Sequence, residues 1–432
     1  MDALRHAKKA DHAESYVIES VTHAAYIDGG RISNIETKID SGISVRVSVK
    51  NKLGRASVTL DDNAAERCVA AAMRVASFSP KNSGFKGYPM PSVSSVKVNI
   101  FDKKIENVTA ADLKDIMGSV ISSCRSEIPR GLLRLSVIRS VTANTNDLVT
   151  EHESTMMYGH FTSMFRGDRN GEGTAAVHGV SLNFDAERIG SELNSKAKAS
   201  ASATPFRGKE KMTMILPPCE LGYMIASSAG SALNGENVFY KRSLWHDREE
   251  KKVASKALTI TDDPTIPGAL CSAFDDEGTP AKKKILVDNG ILRSFIRDSF
   301  IGESTGNGMR RNSTDAQNVY DSAVSIKPMN MIVTPGRYSG DDIIAQTDNG
   351  ILVEKFAWPE CDPLTGRFAL EVRCGRLVKN GKIIENVNNA LLTGNMISLL
   401  KRIEHIGSDP VNIGSVTIPT MSFSGTELIG NE

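Results

Sequence analysis

Pro217 to Leu233 reads PPCELGYMIASSAGSAL, and the character of the chain changes on either side of it. Leu221, Met224, Ile225, Ala229 and Ala232 recur at spacings of three and four, which places them on one face of a helix. The other face offers Glu220, Ser227, Ser228 and Ser231. Before this helix, helical and strand periodicities are mixed. After it, nearly everything reads as strand and turn. The fold class is therefore α+β: a mixed N-terminal part of antiparallel strands with covering helices, then a largely antiparallel β domain entered by this one helix.

Upstream, residues 1–14 read as a polar helix or loose arm, and Tyr16 to Ala25 as a strand running to the turn Asp28-Gly29-Gly30. Ile43, Val45, Val47 and Val49 alternate with Ser44, Arg46 and Ser48, the pattern of a half-buried strand. Lys50 to Gly54 reads as a turn. Asn63 and Glu66 suggest a capping box for a helix lined by Ala65, Cys68, Val69, Ala72, Met73 and Ala76. Residues 79–95, rich in Pro, Gly and Ser, read as a linker. Thr109 caps a second helix bearing Leu113, Met117, Val120 and Cys124. Strands are expected at 132–141, 148–158, 159–166 and 174–184, then a helix over 185–199. The expected units are 1–90, 91–208 and 209–432.

Downstream, Asp288-Asn289-Gly290, Asp348-Asn349-Gly350 and Lys379-Asn380-Gly381 each contain Asn-Gly, which tolerates the positive φ of a type I′ hairpin turn. The first and last have apolar flanks on both sides; the middle one has a clear strand only after it. A late helix is expected from Leu391 to His405.

The chain has 432 residues, with 52 Lys+Arg against 51 Asp+Glu. This balance supplies no field for nucleic acid or an anionic membrane. Six scattered cysteines without a C-x-x-C pair read as reduced thiols, and no apolar run approaches a membrane span. A cytoplasmic protein is expected.

Hydrolytic zinc needs three protein ligands and an open position. No H-E-x-x-H occurs, and His152-Glu153 is the only His-Glu pair. His178 reads as a hydrogen-bonded core histidine, and His246 as solvent-facing. Cys219 reads as a buried thiol, and GESTGNG over 302–308 as a plain loop without the P-loop lysine. Asp262-Asp263 and Asp275-Asp276-Glu277 read as turn residues rather than a hard-cation site, and Lys282-Lys283-Lys284 as a solvated face.

The stretch LTITDDPTIPGALCSAFDDEGTPAKKKILVDNGILRSFIRDS, residues 258–299, closely resembles the TldD/TldE (PmbA) family of metalloproteases, sometimes labelled modulators of DNA gyrase. TPGRYS (334–339), DPLTGRFALEVRCGRLVKNGKI (362–383) and LLKRIEHIGSD (399–409) look like that family's C-terminal signatures, and the resemblance covers nearly the whole chain. In this family TldD-like subunits carry H-E-x-x-x-H on the helix opening the C-terminal domain, with a late cysteine completing the metal site. Anchored on Leu233 and Gly235, the resemblance puts the histidines at Ala226 and Ser231 and the glutamate at Ser227, and no cysteine follows Cys374. It therefore implies a TldE-like subunit without catalytic or metal-binding residues. Zinc is expected on a TldD-like partner, with unfolded peptides as substrates and a heterodimer or homodimer as the assembly. The alternatives are a homodimeric peptide-binding scaffold, or a hydrolase with a relocated metal site at His152, His160 or His178.

Overall fold

The computed structural model describes residues 1–94, 96–167, 169–310 and 323–430. After a short helix α1 (Asp2–His6), the chain builds one long-stranded sheet from β1 (His12–Asp28), β2 (Arg31–Val49), β3 (Lys52–Thr59), β4 (Glu127–Asn144), β5 (Val149–Phe165) and β6 (Gly171–Gly179). Their order is β3-β2-β1-β4-β5-β6, with antiparallel neighbours throughout. This one sheet takes strands from both sides of residue 90. Gly29 and Gly30, both at positive φ, turn β1 into β2.

Helices α2 (Ala64–Phe78), α3 (Lys103–Glu106), α4 (Ala110–Ser123) and α5 (Ala186–Ala201) cover one face. Ala13, Val45 and Val47 meet Cys68, Val69 and Ala72 of α2. Ala25, Leu133, Leu135 and Phe161 meet Leu113, Met117 and Val120 of α4 and Ile189 and Leu193 of α5. Thr109 and Asp112 form the capping box of α4. Asn63 does not cap α2; its own N–H instead donates to Asp61 Oδ1 (3.0 Å).

Several elements differ from the sequence expectation. The strands expected at 148–158 and 159–166 are the single strand β5. Its Gly159 is no break, because the site is filled by Val177, Phe161 and Leu133. The turn after β2 closes at Lys50 and Asn51, both at positive φ, and Gly54 lies inside β3 beneath α2. Residues 79–94 are exposed or half-buried but anchored at two points: Phe85 and Tyr88 are buried, stack edge-on at 5.1 Å, and Tyr88 lies under the Arg46 guanidinium.

Beyond β7 (Thr204–Pro205) and β8 (Lys209–Leu216), the C-terminal domain holds an eight-stranded sheet. Its path is 349–356, β8, 421–429, 390–395, 367–379, 382–388 and β7, with 403–406 paired to 421–429. A second six-stranded sheet joins 291–292, 284–288, 260–262, 331–333, 416–418 and 411–413. Asn289-Gly290 and Asn380-Gly381 form hairpin turns at positive φ. Asn349-Gly350 does not: it opens a strand paired parallel to β8, so its backbone is extended. The helix expected over Leu391–His405 is also absent. Ala390–Asn395 is a strand, only Met396–Leu399 is helical, and Ile403–Ile406 is again a strand. Alternation with the buried neighbours Leu392 and Ile406 wins over the weak helical period there.

Against the 43–49 end of β2 the second face of the sheet is closed by the C-terminal domain, so that stretch is not half-buried: Ser44 and Ser48, on its polar side, are fully buried, while 31–41 stays largely exposed. Glu14, opposite Arg46 in the β1–β2 register, accepts from Arg46 Nε (3.1 Å) and is also paired to the buried Arg310. Arg46 Nη2 reaches on to Glu277 Oε1 (2.6 Å), which also accepts from Ser299 Oγ (2.6 Å). Arg310 lies 4.4 Å over the Tyr16 ring. The Asp275-Asp276-Glu277 turn is thus part of a buried clasp between the two halves, its carboxylates taken up by Gly308 N–H (2.9 Å), Arg310 N–H (2.7 Å) and Ser299. Nor is Lys282-Lys283-Lys284 wholly solvated: Lys284 is buried, its Nζ 3.2 Å from Asp262.

Burial raises the Glu14 carboxyl, but the Arg310 and Arg46 charges outweigh it and hold Glu14 below its ordinary range. Asp298, beside the clasp, goes the other way: burial, then the Glu277 charge, push it up to about 7 from 3.8. Stability from a raised acid is fully present below pH 4 and is lost as pH rises through 7. Asp298→Asn is therefore expected to gain on the wild-type protein across that window, by on the order of 2–4 kcal/mol at its upper end. Urea midpoints at pH 4.5 and 7.5 check this; a constant difference between the two proteins would refute it.

Candidate functional site

The seam helix begins with α6 (Pro218–Ile225), Pro218 occupying the first turn where its missing N–H costs nothing. Leu221, Met224, Ile225, Ala229 and Leu233 enter the C-terminal core. The helix is not a plain α-helix to Leu233, as its period suggests. Ala226–Gly230 is a π-turn, followed by a last helical turn over Ser231–Leu233. The local sequence accounts for this. Ser227 Oγ donates to the carbonyls of Tyr223 (2.9 Å) and Met224 (3.2 Å), and Ser228 Oγ also donates to Met224. Such back-bonding weakens the i→i−4 ladder and occupies carbonyls that the wider turn releases.

The π-turn changes which residues are neighbours. Five residues of α-helix rotate a side chain roughly 140° away. The i→i+5 bonding of a π-turn brings residues five apart back toward one side of the helix. Positions 226 and 231 thus share a face, a geometry able to bring two ligands to one ion.

The side chains actually there do not supply ligands. Ala226 is an exposed methyl group. Ser227 gives its proton to the helix, and its oxygen accepts from Cys361 N–H (3.0 Å). Ser231 Oγ accepts from Asn237 Nδ2 (3.0 Å). Cys361, which the sequence reading passed over, thus lies against Ser227, but burial pushes its thiol up to about 12, so it is protonated at neutral pH. Among the described residues no group of three His, Cys, Asp or Glu side chains could hold a metal. Methyl, bonded hydroxyls and a buried thiol do not fit a catalytic zinc.

The candidate histidines are not brought together. His152 and His160 are eight residues apart on β5, roughly 27 Å along the strand. His152 bonds Ser272 and Ser154 through its two ring nitrogens (2.8 and 2.9 Å). His178 is half-buried rather than a hydrogen-bonded core histidine: among the described residues neither ring nitrogen has a partner, its ring meets Tyr158 edge-on at 5.2 Å, and burial pushes it down to about 4. His246 is half-buried and bonds Ser243 O (2.9 Å) and Asp247 (2.8 Å).

A cavity of about 380 Å³ adjoins the clasp, and another of about 420 Å³ lies against α6. The second is walled by α6 on one side and the β5–β6 edge of the sheet on the other, with Tyr158, Glu220, Tyr223, Lys355 and Trp358 in its lining. Glu220 is buried, and burial raises its carboxyl despite the charge of Lys355. The sequence named Glu220 only as part of a polar face, because the strap over 355–360 that closes the cavity comes from 135 residues downstream.

Residues 209–430 match the family model of the PmbA/TldA metallopeptidase C-terminal domain, and residues 13–76 match that of domain 1. The chain belongs to the PmbA/TldD metallopeptidase family. The metalloprotease TldD homolog of Buchnera aphidicola subsp. Acyrthosiphon pisum is 30% identical over 253 residues, 56% of this chain and 51% of that protein. A metalloprotease of Archaeoglobus fulgidus is 28% identical over 45% of each. The chain thus spans about half the length of these two curated relatives. The metalloprotease PmbA homolog of the same Buchnera is 22% identical over 95% of this chain and 93% of its own. The crystal structure of TldE from Thermococcus kodakarensis superposes with a TM-score of 0.87 over 99% of both chains, at 21% identity, a likeness of fold. No helix among the described residues is long and apolar enough to cross a membrane.

Proposed function

We propose that this PmbA/TldD-family chain is a TldE-like, non-catalytic subunit of a cytoplasmic metalloprotease that processes unfolded peptides. The reading rests on one observation: the π-turn keeps the frame of a two-ligand site while Ala226, Ser227 and Ser231 fill it with a methyl group and two committed hydroxyls. A TldD-like chain then holds the zinc, and this chain completes the peptide-processing assembly.

The test is to purify the chain alone and with a TldD-like chain of the same organism. Alone, it is expected to carry substoichiometric zinc by elemental analysis and to leave an unfolded fluorogenic peptide uncut. Together, the two are expected to co-elute and to cleave that peptide in a chelator-sensitive way. Zinc-dependent cleavage by the chain alone would overturn the reading. Stable self-association with no affinity for the TldD-like chain would overturn it in favour of a homodimeric scaffold.

A further inference from the structure

We propose that the cavity between α6 and the β5–β6 edge binds the amino terminus of a peptide, with Glu220 receiving its ammonium group. Among the described residues the Glu220 carboxylate accepts one hydrogen bond, from Phe356 N–H (2.9 Å), and has no ion pair. A carboxylate 5% exposed and lining a cavity, with the Lys355 and Lys196 charges nearby but no cation in direct contact among the described residues, is a costly arrangement unless a ligand supplies a direct partner.

The rest of the lining selects which cation. Tyr158, Tyr223 and Trp358 line the cavity with aromatic rings, a residue type that favours an ammonium over a neutral group. A divalent metal does not fit: the lining offers two carboxylates, Glu220 and Glu360, far short of the six or more oxygens that a hard cation takes, and no three His, Cys, Asp or Glu side chains among the described residues are grouped to hold a metal. An anion is excluded by Glu220 itself. Of the two lysines in the lining, Lys196 is paired to Glu192 (2.5 Å), whereas Lys355 has no ion pair of its own among the described residues. It would repel an isolated cation but can donate to a carbonyl beside it. An ammonium followed two bonds later by a carbonyl carbon is the start of a peptide; the ammonium of a lysine side chain has no such neighbour. The volume of about 420 Å³ lies in the ordinary range for small-ligand sites.

This deepens the peptide-processing reading by naming the substrate feature that this chain would hold, but it is read out on this chain alone. Of its two tryptophans, Trp245 is buried and Trp358 is 69% exposed at the cavity, so fluorescence reports on occupancy, with calorimetry alongside. The probes are an unblocked tetrapeptide, its N-acetylated form, and an N-acetylated tetrapeptide containing one lysine. The unblocked peptide is expected to bind about tenfold or more tightly than either acetylated one. Glu220→Gln should abolish that preference with the melting temperature unchanged or raised. Should Glu220→Gln fail to fold, Trp358→Ala, at an exposed position, is expected to weaken unblocked peptide severalfold. Equal binding of blocked and unblocked peptide, no binding at all, or a preference retained in Glu220→Gln would overturn the proposal. Equal binding of the unblocked and the lysine-bearing peptide would overturn the amino-terminal assignment. A chain that selects amino termini but never assembles with a TldD-like chain would keep this site and lose the subunit reading; the converse result would do the reverse.

Discussion

Glu14→Ala is expected to destabilise the protein by about 3–5 kcal/mol, because it leaves two buried guanidinium groups without their shared carboxylate. Arg46 and Arg310 converge on Glu14 from opposite halves of the chain, and Glu14 is fully buried. Arg46 keeps Glu277, so its loss is partial; Arg310, 2% exposed, loses its only carboxylate among the described residues. The informative comparison is Glu14→Met combined with Arg46→Met, Arg310→Met and Glu277→Gln, so that no charge of the network is left buried without its partner. A buried ion network contributes little net stability relative to uncharged, packed groups of similar size, so the quadruple variant should recover most of the loss. Urea unfolding of the three proteins settles this. A Glu14→Ala midpoint equal to that of the wild-type protein would show that the clasp does not hold the halves together.

Gly54→Val is expected to cost about 3 kcal/mol or more, through overpacking that cannot relax. A Cβ at Gly54 would sit 2.0 Å from the Ala72 carbonyl oxygen and 2.4 Å from the Ala76 nitrogen, both backbone atoms of α2. No rotamer change relieves that contact; helix and strand must part. Gly118 gives the opposite sign. It lies inside α4, and a Cβ there meets nothing within 4 Å. Gly118→Ala should therefore stabilise by about 0.5–1 kcal/mol, the helix-propensity difference alone. Thermal unfolding of both variants checks the pair; a destabilised Gly118→Ala would mean that α4 is packed more tightly than its surroundings imply.

The two glycines also mark where sequence reading stops. Gly118 is legible as a helical glycine because α4 carries Leu113, Met117 and Val120 at helical spacing behind the Thr109 cap. Gly54 reads as part of a turn, since a glycine after Lys50-Asn51-Lys52-Leu53 is ordinary turn chemistry. Only α2 lying across β3 shows that its missing side chain is a packing requirement. The same holds for Arg46. Its alternation with Val45 and Val47 says that it faces away from the helices, and solvent is the simplest occupant of that side. A second domain, bringing Glu277 from 231 residues away, makes it a buried cation instead.

The seam helix shows the same division. By itself the sequence determined that a helix opens the β-rich domain, that its core face runs through Leu221, Met224 and Ile225, and that positions 226, 227 and 231 carry no His or Glu. These are local facts, written in side-chain periodicity and in the residue types at a spacing. The tertiary structure decided what surrounds that helix. It placed a π-turn at Ala226–Gly230, set Cys361 against Ser227, and closed a cavity over Glu220 with a strap and a sheet edge distant in sequence. Burial and charge pairing depend on which distant segments meet, and a single sequence does not record that meeting.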